Sequence, residues 1–452
     1  MAESPQEKHR ESHLQDLARA LERGTLQHVW KMLNDLHPAE IAQLLESLRP
    51  PERAIVWKLV NPENGGEVLL HVNDQVRAGL ISDMGPDELV AATEGMDLDD
   101  LADLLDDLPD AVIREVLRSM DKQNRQRLES VLSYREDSAG GLMNTDTITV
   151  RADVTLDVVL RYLRLRGEIP DLTDSLVVVN RYDRYLGTLS LSKLLISDPA
   201  QTVAEVMDRD LEPIPATTSA SEVANIFEKR DLISAPVIDE NGRLLGRITI
   251  DDVVDVIRDE ADHSLMSMAG LTEEEDMFAP VVASTRRRAL WLGINLITAF
   301  VAAWVIGLFQ GTLQKVVALA VLMPVAASMG GIAGTQTLTL VIRGIALGRI
   351  GRANARWLLI KEVLVGGLNG LLWALVVAAI AVAWFGDPMI GVFIAAAMLV
   401  NLVCAALAGF AIPLFLRRVG VDPALAGSVI LTTITDVVGY MAFLGLATLF
   451  LL

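Results

Sequence analysis

Residues 425–452 read LAGSVILTTITDVVGYMAFLGLATLFLL, apolar or small almost throughout, with one short polar stretch. Asp436 is the only charged residue in it. A run of this length spans the hydrocarbon of a bilayer as a helix, and an ionisable side chain at that depth is costly and rare. Such a residue either lines a water-filled path or pairs inside a helix bundle, and both readings stand. Thr432, Thr433 and Thr435 set hydroxyls beside it, and Gly439 thins the backbone one turn later. No Lys or Arg falls in mid-span to neutralise it, which favours a cation as its partner.

Four more apolar runs of spanning length precede it, at about residues 289–309, 316–342, 357–385 and 389–416. Five spans put the two ends of the chain on opposite sides. Arg286, Arg287 and Arg288 precede the first span; Arg343, Arg349, Arg352, Arg356 and Lys361 lie between the second and third; Arg417 and Arg418 lie between the fourth and fifth. The positive-inside rule then makes the N-terminus cytoplasmic and the C-terminus external, in a cell (inner) membrane. The other acids of this half, Glu362, Asp387 and Asp422, fall at predicted helix ends. Span two carries MPVAASMGGIAGTQTLT (323–339), where Pro324, Gly330, Gly331 and Gly334 admit two readings. Either the glycines permit close helix packing, or the helix is broken and lines the path with Thr335, Gln336 and Thr337. Asn295, Asn369 and Asn401 read as interhelical hydrogen bonds rather than ion ligands.

The front of the chain is chemically different. Residues 1–285 hold 55 acids against 28 Lys or Arg, while residues 286–452 hold 4 against 11. An excess of negative charge of that size argues against nucleic acid and suits divalent cations or plain solubility. Cys404 lies alone in an apolar run, so no disulfide or thiolate metal site forms within one chain. The polar start MAESPQEKHRESH gives no cleavable signal peptide, and residues 1–13 read as a disordered tail.

From about residue 14 to 132 the chain repeats a short helical unit: LHPAEIAQLLESL, MGPDELVAATEGM, MDLDDLADLLDDL and LPDAVIREVLRSM. Each sets Pro or Asp in a first turn ahead of apolar residues at helical spacing, which predicts a stacked array with each unit buried on the next. Asp99 and Asp103 share a helix face in an unusually acidic unit, with Asp100, Asp106 and Asp107 nearby. That face is either solvated or a set of divalent-cation ligands.

YREDSAGGLM (134–143) ends the helices with a Gly pair. Two matching units follow, each strand, helix, two strands and helix, opened by Met143 and Met207; Gly187 and Gly246 mark the same strand turn. They resemble a tandem pair of cystathionine-β-synthase (CBS) modules, regulatory ligand sensors for which ATP is a candidate ligand. The second unit keeps Thr249 and Asp252 after its last strand, whereas the first has Ser190 and Lys193 there. His263, in the acidic stretch that leads to the membrane, reads as solvated rather than as a ligand.

Taken together, HPAEIAQLLESL, REDSAGGLM, ITIDDVVDVI, LMPVAASMGGIAGTQTLTLVIRGIALG, RRVGVDPALA and TTITDVVG, in that order, resemble the MgtE family of bacterial magnesium channels and transporters. The resemblance covers nearly the whole chain. It implies a multidomain membrane protein: a disordered tail (1–13), an acidic all-α N-terminal helical array (14–136), an α/β tandem CBS pair (137–200 and 201–260), a connecting plug helix and linker (261–285) and a five-helix α transmembrane domain (286–452). It further implies a homodimer in the lipid bilayer, with a pore between the membrane halves. Asp436 of each chain would face hydrated Mg²⁺, and Asp422, Ser428 and Thr432 would line the inner mouth. Cytosolic Mg²⁺ on Asp99, Asp103, Asp231, Asp252, Asp255 and Glu260 would close it. Four positions depart from the family pattern: Ile332 in place of Asn in a GGN element, His263 and Ser264 after Asp262 where acids are usual, and Ser428 in place of an Asn.

The expected function is Mg²⁺-selective uptake down the electrochemical gradient. An ion-coupled secondary transporter of Mg²⁺ or Co²⁺ is the alternative. An enzyme is not expected, since no P-loop, nucleophile–His–acid set or His/Cys metal cluster is present. One carboxylate per chain fits Mg²⁺, which holds its water shell tightly and needs few direct ligands.

Overall fold

The computed structural model describes residues 26–93, 96, 98–106, 108–271, 276–351 and 353–451, so the expected disordered tail lies outside the described residues. The described chain divides into two compact units. One comprises residues 26–261 with 276–280; the other comprises 262–271 with 281–451.

Among the described residues the first unit has nine short helices ahead of its strands: α1 Leu26–Asn34, α2 Pro38–Glu46, α3 Pro50–Trp57, α4 Pro62–His71, α5 Asp74–Asp83, α6 Pro86–Thr93, α7 Leu98–Asp106, α8 Asp110–Ser119 and α9 Lys122–Val131. Four begin on Pro, whose fixed φ and missing N–H suit a first helical turn. Side chains cap the ends: Asn73 accepts from Val76 N at 2.9 Å, and Asp121 accepts from Gln123 N at 2.7 Å and Asn124 N at 3.0 Å. Contacts run between alternate helices (α2 with α4, α4 with α6, α6 with α8) rather than mainly between neighbours. Helices of about ten residues joined by a few residues zigzag, so each apolar face meets the next but one. The buried core they share, including Leu33, Ile41, Leu45, Leu69 and Leu104, continues into Phe227, Val237 and Ile248 further along the chain.

Two copies of one motif follow. The first is β1 Thr149–Arg151, α10 Leu156–Arg166, β2 Ser175–Val179, β3 Tyr185–Ser190 and α11 Leu191–Ile196. After the short α12 Val203–Val206, the second is β4 Ile214–Pro215, α13 Ala220–Arg230, β5 Ser234–Ile238, β6 Leu244–Thr249 and α14 Ile250–Met268. Each sheet has three strands, parallel then antiparallel, with a register irregularity at Val178/Val179 in one and Val237/Ile238 in the other. Gly187 and Gly246 occupy equivalent positions opposite Val178 and Val237. They lie within strands rather than at a turn, where the chain from the other copy passes close. A Cβ on Gly187 would stand 2.2 Å from the Asp208 carbonyl oxygen, and one on Gly246 would stand 2.5 Å from that of Asn144.

Tyr185 stitches this region, its hydroxyl donating to the Leu211 carbonyl at 2.8 Å. Burial, and then the negative Asp208, push its phenol up to about 12. The unfolded chain's phenol titrates at about 10. Because the folded value is the higher one, the contribution is whole below about pH 10 and is lost as pH rises towards about 12. We expect an alkaline loss of stability in that window that Tyr185→Phe abolishes, measured by thermal melts against pH.

Among the described residues the second unit holds five helices long and apolar enough to cross a membrane: α15 Val281–Gly307, α17 Val317–Ala346, α18 Ala355–Phe385, α19 Pro388–Val419 and α20 Pro423–Leu451; a short α16, Gln310–Lys315, joins the first two. At about 1.5 Å per residue each exceeds the roughly 30 Å of hydrocarbon. Their outer surface is apolar, with Trp304, Leu368 and Trp384 exposed. α15 starts ahead of the arginine triplet, so Arg286, Arg287 and Arg288 lie within its first turns. α17 is continuous through Pro324, which settles its glycines as packing positions rather than a break. A Cβ on Gly334 would stand 2.9 Å from Leu431 of α20, and one on Gly409 of α19 would stand 2.6 Å from the Gly334 carbonyl oxygen.

Candidate functional site

The site is built on α20. Asp422 and Pro423 form its start: Asp422 accepts from Ala424 N at 2.9 Å and from Leu425 N at 3.2 Å, closing two backbone donors that a helix N-terminus leaves unpaired. Its Oδ2 also lies 3.2 Å from His263 Nε2 on α14. Asp422 thus falls at a helix end as expected, and His263 meets it rather than water alone.

Ser428, Thr432 and Asp436 follow at spacings of four and share one face of α20. Ser428 and Asp436 are half-buried and Thr432 is exposed. The Thr432 hydroxyl donates back to the Ser428 carbonyl at 3.0 Å and the Val429 carbonyl at 3.1 Å. With its proton engaged inside the helix, that oxygen keeps its lone pairs for a cation or a cation's water. Asp436 stands near the middle of the helix, and among the described residues its carboxylate has no hydrogen bond or ion pair. The arrangement is a column of oxygens ending in a negative charge at membrane depth.

Two apolar clusters flank this level. Leu322, Met323, Phe393 and Phe443 pack on one side of it, and Leu338, Ile412, Leu416 and Leu431 on the other. Between them Thr435 and Asn401 are fully buried. Of the three mid-span asparagines, Asn401 does bridge helices, donating to the Ala326 carbonyl of α17 at 2.8 Å. Asn295 instead bonds within its own helix, to the Trp291 carbonyl at 2.9 Å.

Sequence reasoning placed Glu362 at a helix end, but it sits in the third turn of α18 and is buried at 5 % exposure. Thr337 Oγ1 donates to its Oε2 at 3.2 Å and Lys361 Nζ to its Oε1 at 2.8 Å. With Gln336 and Asn369 these residues line a cavity of about 230 Å³ among α17, α18 and α19. The adjacent Lys361 and Glu362 in an apolar run were the available signal. Thr335, read as a possible path oxygen, donates to Gly331 of its own helix at 2.9 Å.

The acids assigned to sensing lie in the first unit. The Asp99 side chain and Asp107 lie outside the described residues. Asp103 is half-buried on α7. Asp231 ends α13 in a left-handed conformation with φ 51° and is exposed. Asp252 accepts from Thr249 Oγ1 at 3.2 Å, while Asp255 pairs with Arg258 at 3.3 Å and Glu260 is half-buried. Among the described residues no three His, Cys, Asp or Glu side chains gather as metal ligands would. These acids stand on several elements rather than in one cluster.

Comparison with known proteins adds three matches along the chain. Residues 323–446 match the divalent cation transporter family MgtE, residues 36–137 the MgtE intracellular N domain, and residues 139–198 and 203–259 the CBS domain. The chain is 32% identical over 440 residues to the magnesium transporter MgtE of Thermus thermophilus, covering 96% of this chain and 98% of that one. It is 26% identical to the magnesium transporter MgtE of Bacillus subtilis, covering 95% of each. A solved cytosolic domain of the Mg²⁺ channel MgtE in complex with ATP is 33% identical and covers 54% of this chain and 99% of that one, with a TM-score of 0.49.

Proposed function

The chain belongs to the MgtE family of magnesium transporters, a multi-pass membrane protein family, and from that premise we propose that it is a Mg²⁺-selective channel closed by cytosolic Mg²⁺. Two copies form the pore between their membrane halves, and Asp436 of each faces a hydrated ion. Asp422, Ser428 and Thr432 line the cytosolic approach. The observation that carries this reading is the Asp436 carboxylate, unpaired among the described residues and in line with hydroxyl oxygens in mid-span. Outer-sphere recognition suits Mg²⁺, whose octahedral water shell is held tightly and needs few carboxylates.

The arginine-rich connections support a cytosolic N-terminus and acidic first unit and an external C-terminus, in the cell membrane. We keep the domain limits near residues 136, 200, 260 and 285. An arrangement that brought Asp99, Asp103, Asp231, Asp252, Asp255 and Glu260 together would be repulsive without cations, so Mg²⁺ bound there would favour it. ATP is proposed as a ligand of the second CBS module, beside Thr249 and Asp252. An ion-coupled transporter is less well supported, because such folds bind at discontinuous helices and α17 runs unbroken through its Pro and Gly residues.

The test is current through the purified protein in planar bilayers, with Mg²⁺ varied on the cytosolic face. We expect a fall of about tenfold or more, as for a ligand binding the closed state about 1.4 kcal/mol or more better than the open one. Electrically silent or proton-dependent uptake would sink the channel reading. A current indifferent to cytosolic Mg²⁺ would sink the sensor assignment alone.

A further inference from the structure

Asn401 sits where α17, α19 and α20 meet. Its side chain is fully buried, at 0 % exposure. Nδ2 donates to the Ala326 carbonyl at 2.8 Å, while Oδ1 has no hydrogen-bond partner among the described residues. A buried amide with one arm unmatched is disfavoured against an apolar residue of similar size, so packing alone gives no reason for it. Two glycines make the room it occupies. A Cβ on Gly330 of α17 would stand 2.2 Å from Nδ2, and one on Gly439 of α20 would stand 2.8 Å from it. Gly439 is three residues from Asp436, about 4.5 Å along the axis. On the other side of Asp436, a Cβ on Gly331 would lie 3.9 Å from the hydroxyl of the buried Thr435.

We propose that Asn401 is a positioning residue for Asp436: wedged against the bare backbones of Gly330 and Gly439, its amide sets how closely α20 approaches α17 and so where the Asp436 carboxylate stands. The inference rests on Asp436 as the pore carboxylate. Any shift of that carboxylate is repeated in the second copy, so the gap offered to a hydrated ion changes by twice the shift. Mg²⁺ keeps a rigid six-water shell, whereas Ca²⁺ accepts a looser and more variable one. Selectivity between the two therefore reports the gap.

The experiment measures reversal potentials of the full-length protein in planar bilayers under opposed Mg²⁺ and Ca²⁺ gradients. A permeability ratio counts only folded, conducting channels. Asn401→Ala and Gly439→Ala are each expected to lower the Mg²⁺/Ca²⁺ ratio about tenfold or more, since displacements near 1 Å at a reacting centre cost up to about 100-fold. In the double variant the new methyl enters the space the amide leaves, and the ratio returns to within about threefold of the native value, the signature of coupled neighbours. Where Asn401→Ala carries no current, Asn401→Ser is read in its place. A native ratio in the Asn401 variant, or a double variant no better than the product of the singles, overturns the proposal. Asp436→Asn run in parallel separates the two failures: a native ratio there overturns the pore reading itself, whereas its loss beside an unaffected Asn401 variant overturns only the positioning role.

Discussion

Asp436→Asn is expected to reduce Mg²⁺ conductance by about 100-fold or more while leaving the protein folded. The substitution keeps shape and removes one charge. A unit charge about 4 Å from a cationic centre contributes about 4 kcal/mol at an effective dielectric of about 20, and a divalent ion doubles the interaction. At about 1.4 kcal/mol per tenfold, even half of the single-charge value, lost in each of two chains, reaches that size. No ion pair among the described residues is broken by the change, so stability should hold or rise, as it does when an unpaired charge leaves a low-dielectric site. Single-channel conductance and a melting curve on the same preparation test both halves. Asp436→Glu retains the charge and displaces it, and should fall between the two. A conductance for Asp436→Asn within threefold of native would move the ion path off this face of α20.

The sequence exposed what depends on neighbouring residues and hid what depends on distant ones. Five spans, the helical repeats and the doubled strand–helix motif are all periodic, and period is local. Asp422 was picked out for its charge, yet Asp422-Pro423 is also a helix-start signal, and its oxygens prove to cap α20. Pro324 suggested a broken helix because local propensity disfavours proline in a helix interior; packing against α19 and α20 overrides it. Gly187 and Gly246 looked like turn residues, and only the other copy of the motif explains them. The burial of Glu362 was hidden because its partner Thr337 lies on another span. The chemistry of the pore face was legible because residues at intervals of four on one helix share a face whatever the tertiary fold.

The second large effect is on stability and falls where no motif pointed. Arg53 is buried at 6 % exposure and Asp276 at 4 %, and the pair is joined at 2.9 Å across 223 residues of sequence. Its Nε donates to the Leu45 carbonyl at 2.9 Å and its Nη2 to the Leu48 carbonyl at 3.0 Å, at the C-terminal end of α2. Asp276 Oδ1 in turn accepts from Phe278 N at 2.9 Å, and Asp276 N donates to Gln75 Oε1 at 2.9 Å. Each guanidinium nitrogen and each carboxylate oxygen has a partner, so removing one member leaves buried polar groups unmatched. Arg53→Met is expected to destabilise the first unit by about 3–5 kcal/mol, the range for breaking a buried pair from one side. Arg53→Met with Asp276→Leu should cost clearly less than the single change, because no lone charge is left behind. Denaturant unfolding of the full-length protein, followed by proteolysis within residues 26–261, measures both. A single variant that costs under about 1 kcal/mol would mean that water reaches the pair, because exposed ion pairs contribute no more than that. Within the first unit this pair ties the short segment 276–280 to the helical array. Loss of that hold should also show as faster cleavage of the segment around residues 276–280 under native conditions, and protection there unchanged from native would contradict it.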